Sequence, residues 1–391
     1  MIDQTANHAA AMAADAHRWL LNSGIRAHGP DAGAFRRQYD ARDRSVACPY
    51  PEVSGYAAQL HLRMARNADD DLGRLALETG RWLCKVQAGA DTLAPGAFAH
   101  AMCDGEAQGG WYAFDTSIIV HALVELARFS GDQSFARHAR VGGDWLLSMQ
   151  RSDGSFESVI GAQAPIRWAG SGGCLHAKHV LALADLYESS GDRRYADSAR
   201  RVLAWVRHLQ QDDGRIDAIE GCGYAIIHTQ CYAIEGLIAG YLQFGDDAAL
   251  AAALHAGRHL ARSQRHNGGM PRYTGPGSAA YLAETGSRYP KLRLSLVPTD
   301  VGCTLQSVRI WHWLSQVAGE DYAGSIDRAL CWVGRHQIRS RDSAIDGALP
   351  ASVDTLLGVT RRELRLYPWV AVFAVDASRI RQNPLLSASP F

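Results

Sequence analysis

Apolar residues recur along this chain at helical spacing, in two alternating kinds of segment. One kind is apolar on nearly all sides: Ile118, Leu123 and Leu126, or Val180, Leu183 and Leu186, sit in stretches with few charges. Helices of that kind are buried by neighbours on both sides. The other kind is amphipathic, with one apolar stripe and one charged face. The alternation predicts six inner helices, over 51–66, 112–129, 174–189, 224–243, 299–317 and 367–380. Six outer helices are predicted at 5–22, 70–87, 132–150, 192–210, 246–264 and 320–337.

A repeat underlies the alternation. An outer helix ends in an aromatic, two apolar residues and, five positions after the aromatic, a glutamine. The copies are Trp82 to Gln87, Trp145 to Gln150, Trp205 to Gln210 and Trp332 to Gln337. His259 to Gln264 replaces the aromatic, and Trp19-Leu20-Leu21 is a sixth copy without its glutamine. Asp153-Gly154, Asp213-Gly214, Asn267-Gly268 and Asp346-Gly347 follow, supplying the positive φ of a tight turn. Short turns such as Ser130-Gly131-Asp132 and Ser190-Gly191-Asp192 close each inner helix and start the next outer one. Six pairs, with the first helix beside the last, are what a closed ring requires. The pattern therefore predicts an all-α fold, an (α/α)6 toroid occupying 1–391 as one domain, over the alternative of an open solenoid.

The long connections, rich in Gly, Pro and polar residues, all precede inner helices, so they share one face of such a ring. Loops held by a rigid scaffold are where function concentrates. Aligning the repeats on their glycine turns brings Thr116, His176, Gln230 and Thr304 to one level, with Asp115, Leu175, Thr229 and Cys303 beside them. Tyr112, His228 and Asp300 lie within a turn; Glu52, Tyr56 and Tyr367 come from the first and last inner helices. Polar groups at the starts of apolar helices are costly if buried dry, which points to a wet cavity. Bland readings compete: Asp115 as an N-cap, Glu52 as a first-turn acid, and His61, His121 and His179 as interior histidines.

Charge and cysteine content narrow the classes. Forty basic and forty acidic residues leave no net charge, unlike a nucleic-acid binder. No apolar run is long enough to span a bilayer, and Met1 to Ala14 does not read as a secretory signal. The expected compartment is the cytoplasm. Eight cysteines without a CxxC pair are expected to be reduced thiols.

The strings Tyr50-Pro51-Glu52-Val53-Ser54-Gly55-Tyr56, Phe114-Asp115-Thr116 and Gly347-Ala348-Leu349-Pro350, with Tyr367-Pro368-Trp369-Val370-Ala371, resemble a group of bacterial toroid proteins. These are usually encoded with exopolysaccharide or capsule biosynthesis genes. They carry the prenyltransferase/squalene-cyclase label, and some are similar to glucuronyl C5-epimerases and toroid polysaccharide lyases. The resemblance implies a carbohydrate substrate and no cofactor, but not one reaction.

A terpene cyclase or prenyltransferase-like enzyme would carry an aspartate-rich motif, and neither DxDD nor DDxxD occurs. A zinc enzyme would draw on Cys174, Cys222, Cys303, His176 and His228; small buried thiols are the simpler reading. Hydrolysis would use Glu52, Asp115 or Asp300. Lyase or epimerase chemistry would use Tyr56, Tyr112, His176, His179, Tyr224 or His228, with Arg272 and Arg288 for a uronate. Gln230, Trp111, Trp168, Tyr367 and Trp369 complete the expected sugar contacts, with Tyr273, Tyr281 and Tyr289 nearby. A non-catalytic glycan-binding scaffold is the alternative of a different class. The sequence is silent on oligomeric state.

Overall fold

The computed structural model describes residues 2–163, 169–284, 299–356 and 359–382. Twelve helices form the ring. The outer ones are α1 (Ile2–Asn22), α3 (Asp71–Val86), α5 (Gln133–Ser148), α7 (Arg193–His208), α9 (Asp247–Ser263) and α12 (Ala323–His336). The inner ones are α2 (Pro51–Met64), α4 (Ala113–Ser130), α6 (His179–Ser190), α8 (Ile227–Phe244), α11 (Val301–Ala318) and α13 (Pro368–Gln382). A short α10 (Ser278–Glu284) lies between α9 and α11. The predicted (α/α)6 toroid is the fold. The third inner helix differs from its expected start: Cys174–Lys178 is a 3-10 turn, and α-helix begins at His179.

The repeat motifs explain the ring. Gly131, Gly191, Gly245 and Gly319 end inner helices in the left-handed conformation. Asp70, Asp132, Asp192 and Asp246 cap outer helices by accepting backbone N–H bonds. Each terminal glutamine is a two-ended staple. Gln264 donates to its own loop at Gly268 O and to the next outer helix at Ser325 O, both 2.9 Å. Gln87, Gln150 and Gln210 repeat this against α5, α7 and α9. Gln337 closes the circle, donating to Gly347 O at 2.8 Å and to Met12 O of α1 at 2.9 Å. In the sixth copy, which lacks the glutamine, the Trp19 indole donates to Ala344 O instead. Replacing Gln264 by leucine strands two carbonyls and should cost about 2 kcal/mol. Urea unfolding would show a lowered midpoint at unchanged slope; an unmoved midpoint would refute the staple.

The long loops pair into small antiparallel sheets on one face of the ring. A hairpin of β3 (Ala99–Cys103) and β4 (Glu106–Tyr112) continues into β5 (Val159–Ile160). A second sheet runs β11 (Val359–Arg362), β10 (Ser352–Leu356), β9 (Thr299–Asp300), β7 (Met270–Pro271). Three of these strands, at 159–160, 270–271 and 299–300, are two residues long, too short to show alternation in sequence. The thiol expectation also needs correcting: Cys48 and Cys103 form a disulfide, while the other six cysteines are free. No helix among the described residues is long and apolar enough to cross a membrane.

Candidate active site

Ser54, Thr116, Gln230 and Thr304 stand near the starts of four inner helices, and each accepts a backbone N–H from the preceding loop. The donors are Phe35 at 2.9 Å, Phe98 at 3.1 Å, Ile216 at 3.3 Å and Met270 at 3.0 Å. These side chains pin the loops to the ring. The polar level read from the repeat alignment is therefore largely a fastening layer, and Gln230 belongs to it. His176, its member on the third inner segment, is fully buried against Phe156 and His179. Burial drives its pKa down to about 3.

The cavity opens among the pinned loops, with a volume of about 340 Å³. Ten expected residues line it: Glu52, Tyr112, Asp115, His228, Arg272, Tyr273, Tyr281, Asp300, Tyr367 and Trp369. Arg37, Tyr50, His100, Phe114 and Tyr232 join them. Tyr56 is buried and does not line the cavity. Tyr224 stands behind the wall, its ring 4.7 Å from that of Tyr281. Trp111 lies on β4, where a side chain at Gly161 would collide with its ring. Trp168, Arg288 and Tyr289 lie outside the described residues.

On one wall, Asp115 sits in the first turn of α4. It is not the N-cap, a position held by Tyr112. Its Oδ2 instead accepts from the Tyr50 hydroxyl at 3.1 Å and faces His100 Nδ1 at 3.2 Å. Glu52 is the other carboxyl beside Tyr50 in the cavity lining. A phenol has one proton, and the Tyr50 hydroxyl donates it to Asp115, so Glu52 is the carboxyl left to keep its own proton. Electrostatics agree. Burial first, and the neighbouring Asp115 second, raise the Glu52 pKa to about 8, against the opposing pull of Tyr50, Arg37 and Lys178.

Two loops carry this clamp, and the disulfide joins them. Cys48 lies two residues before Tyr50, Cys103 three after His100. Met102 N–H also bonds Pro49 O at 3.0 Å, and the Tyr50 and His100 rings lie 4.6 Å apart. Severing the link with Cys48→Ser and Cys103→Ser should lower turnover about tenfold, with helical content unchanged, because small misplacements of reacting groups are costly. Unaltered kinetics would show the link idle.

On the opposite wall, Asp300 caps α11 by accepting Cys303 N–H at 2.9 Å, and its Oδ2 meets Arg272 Nε at 3.3 Å. Asp300 holds that guanidinium charged against the cost of burial. His228 packs between Tyr232 and Trp369, at 4.6 and 5.1 Å between ring centroids. Burial lowers its pKa, so it is neutral in the physiological range. Among the described residues no three His, Cys, Asp or Glu side chains gather as a metal site would need.

No family model and no curated protein matches this chain. Solved structures do. A cellobiose 2-epimerase from Bacillus thermoamylovorans superposes with a TM-score of 0.73 at 10% identity, covering 95% of this chain and 100% of its own. The cellobiose 2-epimerase of Spirochaeta thermophila gives 0.69 at 15%, covering 98% and 99%. An unsaturated glucuronyl hydrolase from Streptococcus agalactiae gives 0.62 at 12%, covering 95% and 91%. At these identities the likeness establishes the toroid fold.

Proposed function

We propose that this protein is a carbohydrate-active enzyme, a glycoside hydrolase acting at the end of an acidic oligosaccharide or polysaccharide. The Glu52–Tyr50–Asp115 cluster carries the reading. Glycoside hydrolysis needs one carboxyl that keeps its proton and a second that does not, side by side. Glu52 gives its proton to the glycosidic oxygen as that bond breaks. Asp115 meets the positive charge growing at the anomeric carbon, where water then adds, and the proton that water releases restores the one Glu52 gave up. Arg37 and Arg272 supply cationic contacts for a uronate. The proteins of like fold include an unsaturated glucuronyl hydrolase and two cellobiose 2-epimerases, which supports a carbohydrate substrate. Trimming chain ends during exopolysaccharide or capsule assembly is the proposed setting, implied by the sequence resemblance.

The test is incubation with saturated and unsaturated uronyl oligosaccharides. New reducing ends, or loss of the unsaturated sugar's ultraviolet absorbance, would support hydrolysis; neither across a range of linkages would reject it. One observation favours a second reading. Neutral His228 shares the cavity with Arg272, the pairing that proton abstraction beside a uronate carboxyl requires. Solvent deuterium appearing in intact sugar would select that epimerase reading instead.

A further inference from the structure

The chain uses three lysines among its 40 basic residues, and one of them, Lys178, is buried at the core of the ring. It stands at the end of the 3-10 turn that starts the third inner segment. Its ammonium pairs with Glu235 of α8, which is itself fully buried. The same Nζ lies 5.5 Å from the centroid of the Tyr56 ring and 5.1 Å from that of Tyr232. Both are cation–π distances, which gain strength in a desolvated site. Arg309 of α11 approaches the other Glu235 oxygen at 3.5 Å, and Arg63 of α2 joins Asp376 of α13 at 2.7 Å. Charges from four inner helices thus meet around one ammonium.

Nothing in the catalytic cluster uses this group directly, and it does not line the cavity. Tyr232 does, and it also braces Phe114 and His228 at 4.7 and 4.6 Å. Burying an ion pair gives weak stability, because desolvation offsets the attraction. A compact ammonium fits between two ring faces where a planar guanidinium would not.

We propose that Lys178 is a positioning residue of this site: held by Glu235, its ammonium fixes Tyr232 in the cavity wall, with Tyr56 packed behind it. The packing does not rest on the hydrolase reading; the kinetic test of it does.

Two measurements on the full chain test the proposal. With 13C-labelled lysine, the signal that vanishes in Lys178→Met should be shifted upfield of the other two by the tyrosine rings. This readout needs no substrate, so it separates failure of the packing from failure of the hydrolase reading. With an unsaturated uronyl disaccharide, Lys178→Met should raise KM severalfold through the loosened Tyr232 while kcat holds, and Lys178→Arg should not restore KM, because its planar head does not fit between the rings. An unshifted Lys178 signal in the wild type overturns the proposal even if the variant does not fold. A folded Lys178→Met with unchanged KM overturns it as well.

Discussion

Glu52→Gln is expected to abolish turnover while making the protein more stable at alkaline pH. Removing a positioned general acid typically costs two to four orders of magnitude in rate, and about a thousandfold loss is expected here. The stability effect follows from linkage. Glu52 titrates near 8 in the fold, against 4.5 for the free side chain. Between those values the folded state holds a proton that the unfolded state has released, so folding stability falls as pH rises. The stabilisation of neutral Glu52 is fully present below about pH 4.5 and is lost through about pH 8. Glutamine copies the shape of the neutral acid and does not titrate. Thermal melts at pH 6 and pH 9 should therefore converge for the variant. A variant that lost stability as well as activity would show Glu52 to be a structural carboxylate.

The same shift predicts the activity profile. The acid works only while protonated, so kcat/KM should decline above about pH 8. Asp115→Asn offers the complementary check. It keeps an oxygen for Tyr50 to bond but removes the charge opposite the anomeric carbon, and it too should cost about a thousandfold. Near-normal turnover in Asp115→Asn would move the chemistry to His228.

The ring was readable because its signals repeat. Trp-to-Gln spacing, Asp-Gly turns and capping aspartates recur once per hairpin, and each serves one local physical need. The site was only half readable, because a polar residue at the start of an inner helix has two causes. Thr116 and Asp115 are neighbours in sequence, yet the first accepts Phe98 N–H and the second faces the cavity. One residue turns a helix by about a hundred degrees, and an alignment on distant glycines cannot resolve that. Thr304 and Gln230 were drawn to the same level for the same reason. Tyr50 and His100 escaped notice as partners of Asp115 because they lie outside the helices, where no period marks them. Tyr50 did stand in the quoted Tyr50-Pro51-Glu52 string, and its adjacency to a buried glutamate was the available signal. His100 had none: its position depends on a hairpin and a disulfide between cysteines 55 residues apart.

Closure of the ring has its own decisive variant, Gly347→Ala. Six glycines with positive φ press against the next outer helix: Gly33 on Glu78, Gly96 on Val141, Gly154 on Arg201, Gly214 on His255, Gly268 on Arg328 and Gly347 on Asp15. The last contact is the seam, joining the end of the chain to α1. Gly347 has φ +82°, and a Cβ there would lie 2.5 Å from the Asp15 carbonyl oxygen. Backbone cannot yield as a side-chain tip can, so strain and overlap add, to about 3–5 kcal/mol. Gly191→Ala is the control: its φ is +70° but nothing lies within 4 Å of the added carbon. It should cost only the conformational part, about 1–2 kcal/mol. The seam also holds Arg339–Asp15 and Arg18–Asp346 ion pairs and the Trp19–Ala344 bond, so α1 should lose amide protection first in Gly347→Ala. Because α1 also packs against the innermost wall at α13, its release should slacken Trp369 and Tyr367 and raise KM before the ring unfolds. Equal costs for the two alanines, or protection lost first elsewhere, would mean that the ring does not depend on this seam.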